Sequence, residues 1–210
     1  GIVQHVGVVK QVRPLSDNSI QIDVDCKELN TTSQLGQSIS IDGICLTVEK
    51  VNKDFLTFTA ISETMDKTKL KEKVLGSLVN VEGSASMQDL VGGHPITGHI
   101  DTVGKIIDIT NSESWKTIRI SVDKSHRNLI VSKGSICIDG VSLTISNIGS
   151  VEESWFEVSL IPATLSHTTL DLLVVGDPVN IEFVGEDYEQ LIAFVDQTKA
   201  YLESNSIPGL

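Results

Sequence analysis

Positive charge is scarce in this chain: its 210 residues carry 16 Lys and Arg against 28 Asp and Glu, a formal net charge of −12. A field of that sign repels phosphate backbones and anionic lipid, which argues against a nucleic-acid or membrane partner. There is no apolar run of the roughly 18 residues that a spanning helix needs, and no basic-then-apolar leader. The chain therefore reads as cytoplasmic. Cysteine is also sparse. Cys26, Cys45 and Cys137 are odd in number and lack CxxC spacing, the pattern of reduced thiols rather than of a disulfide framework. His5, His94, His99, His126 and His167 are scattered, with no carboxylate or thiol at metal-ligand spacing. Neither a metal nor a redox cofactor is expected.

What is present is a repeat. Ser38-Ile-Ser-Ile-Asp-Gly-Ile-Cys-Leu-Thr-Val48 is nearly copied by Ser135-Ile-Cys-Ile-Asp-Gly-Val-Ser-Leu-Thr-Ile145. Gly140 lies 97 residues after Gly43, and the same offset lays Gly1, Val6 and Gly7 on Gly98, Val103 and Gly104. Further on the offset becomes 100: Thr64 meets Thr164, Thr68 meets Thr168, and Val79-Asn-Val-Glu82 meets Val179-Asn-Ile-Glu182. The second copy has gained its extra residues in the turn around Gly149 to Glu153. Two small units thus fill the chain, residues 1–96 and 97–185, followed by a tail over 186–210.

Within each copy the pattern is all-β. Ile20–Val24, Ser38–Ile41, Thr57–Ile61 and Leu78–Val81 are short β-branched runs separated by turn signals, and Thr117–Ser121, Ser135–Ile138, Trp155–Leu160 and Pro178–Ile181 repeat the scheme. Short strands without a long interior helix favour a closed barrel of about six strands per copy. Gly43 and Gly140 admit two readings, a hairpin turn that needs positive φ or a contact with ligand. Tyr188, Leu191, Ile192, Val195 and Leu202 form a helical stripe with no counterpart in the repeat. That terminal amphipathic helix must bury its stripe on a barrel or on copies of itself.

The blocks Gly36–Val48, Ser62-Glu-Thr64, Gly92-Gly-His-Pro-Ile-Thr-Gly-His-Ile100, Lys133–Ile145, Leu160–Leu165 and Val179–Glu182 resemble, in order and spacing, riboflavin synthases of the two-barrel type. The same superfamily holds lumazine proteins, non-catalytic antennae that keep the barrels and fluoresce with a bound lumazine or flavin. The resemblance implies two tandem, similar six-stranded antiparallel β-barrels with a C-terminal α-helix. It implies a dismutation in which two 6,7-dimethyl-8-ribityllumazine molecules yield riboflavin and 5-amino-6-(ribitylamino)uracil by transfer of a four-carbon unit. It further implies a homotrimer whose working site joins the first barrel of one subunit to the second barrel of another. No cofactor is implied.

Site residues follow by position in the motifs. His99, Cys45 and Ser38 match the catalytic group, and His94 has a weaker claim. Cys45, Leu46 and Thr47 in the first copy, and Ser142, Leu143 and Thr144 in the second, match the ring-binding strand. A second wall is expected from Thr59, Ala60, Ile61, Ser62, Glu63 and Thr64, with Glu63 toward the ribityl hydroxyls, and from Leu160, Ile161, Pro162, Ala163 and Thr164. Gly1, Ile2 and Val3, their counterparts Gly98, His99 and Ile100, and Lys133 complete the substrate-binding set. The chain departs from the family pattern at Val184, where catalytic members usually carry Asp, at Ala163, commonly His, and at Gly83-Ser84, commonly Arg-Ala. The copies also differ from each other at Cys45 against Ser142, His99 against Ile2 and Glu63 against Ala163. One pocket is thereby expected to specialise in chemistry and the other in presenting the second substrate molecule.

Overall fold

The computed structural model describes residues 1–85, 92–150 and 152–184. Strands β1 (His5–Pro14), β2 (Ile20–Asp25), β3 (Ser38–Ile41), β4 (Ile44–Asn52), β5 (Phe55–Ala60) and β6 (Leu78–Gly83) close an antiparallel barrel in the order β1-β2-β5-β4-β3-β6. Strands β7 (Thr102–Asn111), β8 (Lys116–Ser121), β9 (Ser135–Ile138), β10 (Val141–Ile148), β11 (Trp155–Leu160) and β12 (Pro178–Phe183) close a second in the matching order. The period of two along each strand sets the inside: Ile39 and Ile41 are fully buried while Ser38 and Ser40 face outward, half-exposed. Each barrel thus holds its own apolar core, around Phe58 in the first and Phe156 in the second.

Val48 pairs with Phe58, and its counterpart Ile145 pairs with Val158. The residues gained by the second copy therefore lie in the β10–β11 turn. Three short helices, α1 (Leu29–Thr32), α2 (Ser62–Lys67) and α3 (Pro162–His167), are too short to show a periodic stripe in the sequence. The paired threonines of the repeat end α2 and α3: Thr68 and Thr168 donate to the carbonyls of Thr64 and Thr164 at 2.7 and 2.8 Å and cap the 3-10 turns that follow. The expected terminal helix lies outside the described residues.

The two barrels meet along a buried polar seam. Asp42-Gly43 and Asp139-Gly140 both have positive φ, +47° and +83°, then +49° and +83°, the signature of a type I′ hairpin. A Cβ on Gly43 would stand 2.7 Å from the backbone nitrogen of Gly140, so the glycines serve the turn and the close approach of the two backbones. Around them the hydrogen bonds are reciprocal. The Asn80 side chain donates to the Asp139 carbonyl at 2.9 Å and accepts from Thr169 N at 2.7 Å; that of Asn180 donates to the Asp42 carbonyl at 2.9 Å and accepts from Lys69 N at 2.9 Å. Each aspartate also accepts from the amide of its own barrel's asparagine, at 2.7 and 2.8 Å.

Lys69 breaks this symmetry, since its counterpart is Thr169. Its ammonium binds Asp139 and lies 3.6 Å from Asp42, which Lys73 approaches to 2.8 Å. Burial opposes every charge here. It pushes Asp139 up to about 6 against the pull of Lys69, whereas Lys69 and Lys73 together overcome burial and hold Asp42 below its usual range.

The segment leading into each barrel crosses to the other one. Gln4 N bonds the Val81 carbonyl of its own barrel, yet Val3 packs on the second core and the Gly1 carbonyl accepts from Ser142 N at 2.9 Å. Symmetrically, Asp101 N bonds Ile181, Ile100 packs on the first core, and the Gly98 carbonyl accepts from Cys45 N at 3.0 Å. A division read along the chain at 96/97 thus separates each lead-in segment from the barrel on which it rests.

Two outcomes follow for stability. Lys69→Met removes the cation of a buried pair, a change that costs about 3–5 kcal/mol. Asp139, already raised above its unfolded value, rises further without Lys69, so the folded state holds a proton that the unfolded chain releases. The deficit shrinks as pH falls below about 6 and grows as pH rises through it, which urea titrations at about pH 5 and about pH 8 will read. Gly36 and Gly98 share φ +81°, but an added Cβ meets nothing within 4 Å at Gly36 and Cys45 Cβ at 2.6 Å at Gly98. Gly36→Ala should cost about 1 kcal/mol of strain alone, and Gly98→Ala distinctly more in the same urea assay.

Candidate functional site

Cys45, Leu46 and Thr47 lie on a stretch of β4 that β5 does not pair. The β4–β5 ladder begins at Val48↔Phe58, and the Cys45 amide is taken by Gly98 of the other unit. Ser142, Leu143 and Thr144 repeat the arrangement on β10, whose ladder with β11 begins at Ile145↔Val158, with Gly1 in the place of Gly98. Each barrel therefore carries a strand edge that its own sheet leaves open and that the other unit's lead-in segment approaches. The expected second walls begin at the ends of β5 and β11. Ile61 and Ile161, 57% and 59% exposed, occupy equivalent places just before α2 and α3. Thr59 donates to Glu49 at 2.8 Å, and Glu63 pairs with Lys67 at 3.1 Å on the solvent side of α2. Ala163 and Thr164 are on α3, exposed and half-buried respectively, and Lys133 is exposed in a left-handed turn with φ +65°.

A cleft of about 780 Å³ runs between the outer face of the first barrel and the linker before β7. Strand pairing arranges its floor. Ser38 stands opposite Thr47, and Ser40 stands opposite both Cys45 and Glu82, so Cys45, Ser40 and Glu82 form one row across β4, β3 and β6. Ser38, Ser40, Cys45 and Glu82 all line the cleft, as do His94, Thr97 and Gly98 from the linker. Cys45 is the exposed thiol of the three, since Cys26 and Cys137 are buried. His94 donates its amide to the Ser142 hydroxyl at 3.2 Å, and its Nδ1 lies 2.7 Å from the same oxygen. Burial holds the His94 imidazole below its usual range, in the neutral form that accepts a proton.

The linker thus places His94, anchored to Ser142 of the second barrel, in the cleft that Ser38 and Cys45 also line. His99 is exposed and is not part of the cleft lining, although its neighbour Gly98 is. Ser84, one of the departures from the family pattern, donates to the Ser38 carbonyl at 2.6 Å and shares the cleft. Val184 is half-buried beyond β12, and the neighbouring acidic residues Glu186 and Asp187 lie outside the described residues.

In the second barrel the same row reads Ser142, Cys137, Glu182. The thiol has moved to the middle strand, where it is fully buried and burial pushes its pKa up, so it is no nucleophile. Glu182 accepts from Thr97 N at 2.7 Å, Thr97 Oγ1 at 2.9 Å and Gly98 N at 3.0 Å. Glu82 accepts from Gly1 N at 2.8 Å and Ile2 N at 3.1 Å. Only the repeated Asn-Val-Glu and Asn-Ile-Glu runs mark these two anchors in the sequence. Among the described residues no group of His, Cys, Asp and Glu is arranged to hold a metal ion, and no helix is long and apolar enough to cross a membrane.

The lumazine-binding domain family matches residues 1–84 and again 97–184. Riboflavin synthase of Mycobacterium bovis is 39% identical over 87% of this chain and 90% of its own, and that of Bacillus subtilis is 31% identical over 98% of both. Riboflavin synthase of Chlamydia trachomatis is 40% identical over 87% of both chains. Among solved structures, LumP complexed with 6,7-dimethyl-8-(1'-D-ribityl) lumazine superposes with a TM-score of 0.78 at 25% identity, covering 88% of this chain and 98% of that one. Two lumazine-binding barrels in tandem, with 31–40% identity to synthases of three bacteria over 87–98% of the chain, place this chain in the riboflavin synthase family.

Proposed function

We propose that the protein is a riboflavin synthase, which converts two molecules of 6,7-dimethyl-8-ribityllumazine into riboflavin and 5-amino-6-(ribitylamino)uracil. The observation that carries this reading is the pair of open strand edges, one per barrel, each met by a segment of the other unit. A reaction between two identical molecules needs two similar seats. A pteridine ring offers carbonyl and ring-nitrogen groups that suit backbone edges at Leu46–Thr47 and Leu143–Thr144. Exposed Ile61 and Ile161 supply apolar contact for its faces. Holding two rings in register can supply about 7–11 kcal/mol of a bimolecular barrier.

Chemistry is assigned to the first barrel, where the exposed thiol and hydroxyls lie. A base removes the acidified proton of a ring methyl, and a nucleophile adds to the neighbouring ring carbon. Neutral His94 serves as the base. The Cys45 thiol and Ser38 hydroxyl flank the acceptor carbon. His99 joins them from the solvent side when the second barrel of a neighbouring subunit closes over the site, an arrangement that the homotrimer provides. A cytoplasmic location accords with three free thiols.

Incubation with the lumazine should give one riboflavin for every two substrate molecules consumed. Tight, fluorescent binding without riboflavin would instead make the protein an antenna like the lumazine proteins and would overturn the assignment. His94→Gln should lower kcat by about 10²-fold or more, with lumazine affinity little changed. Because burial keeps His94 neutral below the ordinary histidine range, the acid limb of kcat/KM against pH should fall below about 6.5, and it should move on substitution of His94.

A further inference from the structure

The glutamates that end the two matching Asn-Val-Glu and Asn-Ile-Glu runs each hold a lead-in segment, and each of those segments serves the opposite barrel. Glu182 belongs to β12 of the second barrel, yet the Gly98 it holds gives its carbonyl to Cys45 on the open edge of the first. Glu82 belongs to β6 of the first barrel, yet the Gly1 it holds gives its carbonyl to Ser142 on the open edge of the second. Next along the chain, Ile100 seals the first core and Val3 the second. We propose that Glu182 and Glu82 are positioning residues acting crosswise, the glutamate of each barrel setting the ligand seat of the other. The link to ligand rests on the proposed function, whereas the link to the strand edge does not.

The physical reason is the demand of backbone donors at a turn, the Gly98 amide being buried. Thr97 and Gly98 expose two amides at a turn where Gly98 has φ +81°, and no sheet ladder takes either of them. A carboxylate with two oxygens satisfies both, plus the Thr97 hydroxyl. Removing it takes the acceptor from the buried Gly98 amide, and the segment must move to hydrate that donor. When Gly98 moves, the edge of β4 at Cys45 changes with it, although nothing in the first barrel has been altered. The second core loses no apolar contact in the process.

The test reads each edge separately in the full-length protein. Amide hydrogen exchange at Cys45 and at Ser142 is followed without ligand, and alkylation of Cys45, the exposed thiol, is followed with added 6,7-dimethyl-8-ribityllumazine. Glu182→Ala should speed exchange of the Cys45 amide by about tenfold and leave that of Ser142 unmoved, with a comparable rise in the lumazine concentration that protects Cys45. Glu82→Ala should reverse the exchange pattern, speeding the Ser142 amide and sparing that of Cys45; because Glu82 also lines the cleft beside Cys45, lumazine protection is read only in the Glu182 variants. Glu182→Gln, which retains one acceptor oxygen, should give the first pattern at smaller amplitude and guards against a variant that fails to fold. An effect confined to the mutated barrel, or equal at both amides, would overturn the proposal. A crossed exchange pattern with no lumazine protection even in the unaltered protein would uphold the crosswise positioning while removing the proposed activity.

Discussion

Two aspartates cannot be buried within reach of one another unless something neutralises them, and in this protein that requirement fixes how the barrels sit. Asp42 and Asp139 occupy facing hairpin turns in a seam that excludes water. Burying such charges costs several kcal/mol per ion, recovered only with good geometry and full hydrogen bonding. Lys69, Lys73, Asn80 and Asn180 meet that demand in one relative placement, because each asparagine gives its amide group to the opposite barrel's turn and takes a backbone N–H from the 3-10 turn of that same opposite unit. The cleft and the crossed segments inherit their positions from this seam.

On that nearly two-fold frame the chemistry is one-sided. Both barrels present the same row of three residues across the same three strands, but exchange of Cys and Ser between neighbouring strands puts a thiol at the surface in one and seals it inside in the other. The linker adds to the bias. It sets His94 in the cleft that the first barrel walls while using a hydroxyl of the second, Ser142, to hold the ring. Two seats of one shape thus differ in what they can do to a bound molecule.

The barrels were legible in the sequence because a repeat with a fixed offset and a period of two constrains both topology and burial. The glutamate anchors and the aspartate seam were not. Asp42-Gly43 carries a complete local explanation as a turn, and nothing nearby reveals that its carboxylate also answers to Lys69 and to a second turn far along the chain. The crossing of Gly1–Val3 and Gly98–Ile100 was hidden for a related reason: short apolar segments state that they will be buried, not where. His94 and His99 were separable only once the linker's path was known, since five residues of loop can place either ring at the wall.

The lysines at the seam bear on how the duplication aged. A chain with one barrel and two-fold self-association would have met its own turn across the axis with identical residues on both sides. Here the first half provides Lys69 and Lys73, and the corresponding places in the second half are Thr169 and Leu173. Pairing two first halves would crowd twice the cations against the same two carboxylates; pairing two second halves would leave both carboxylates bare. Divergence at a pair of sites has made each half a dedicated counterpart of the other, with the charge balance at the axis met by one half for both.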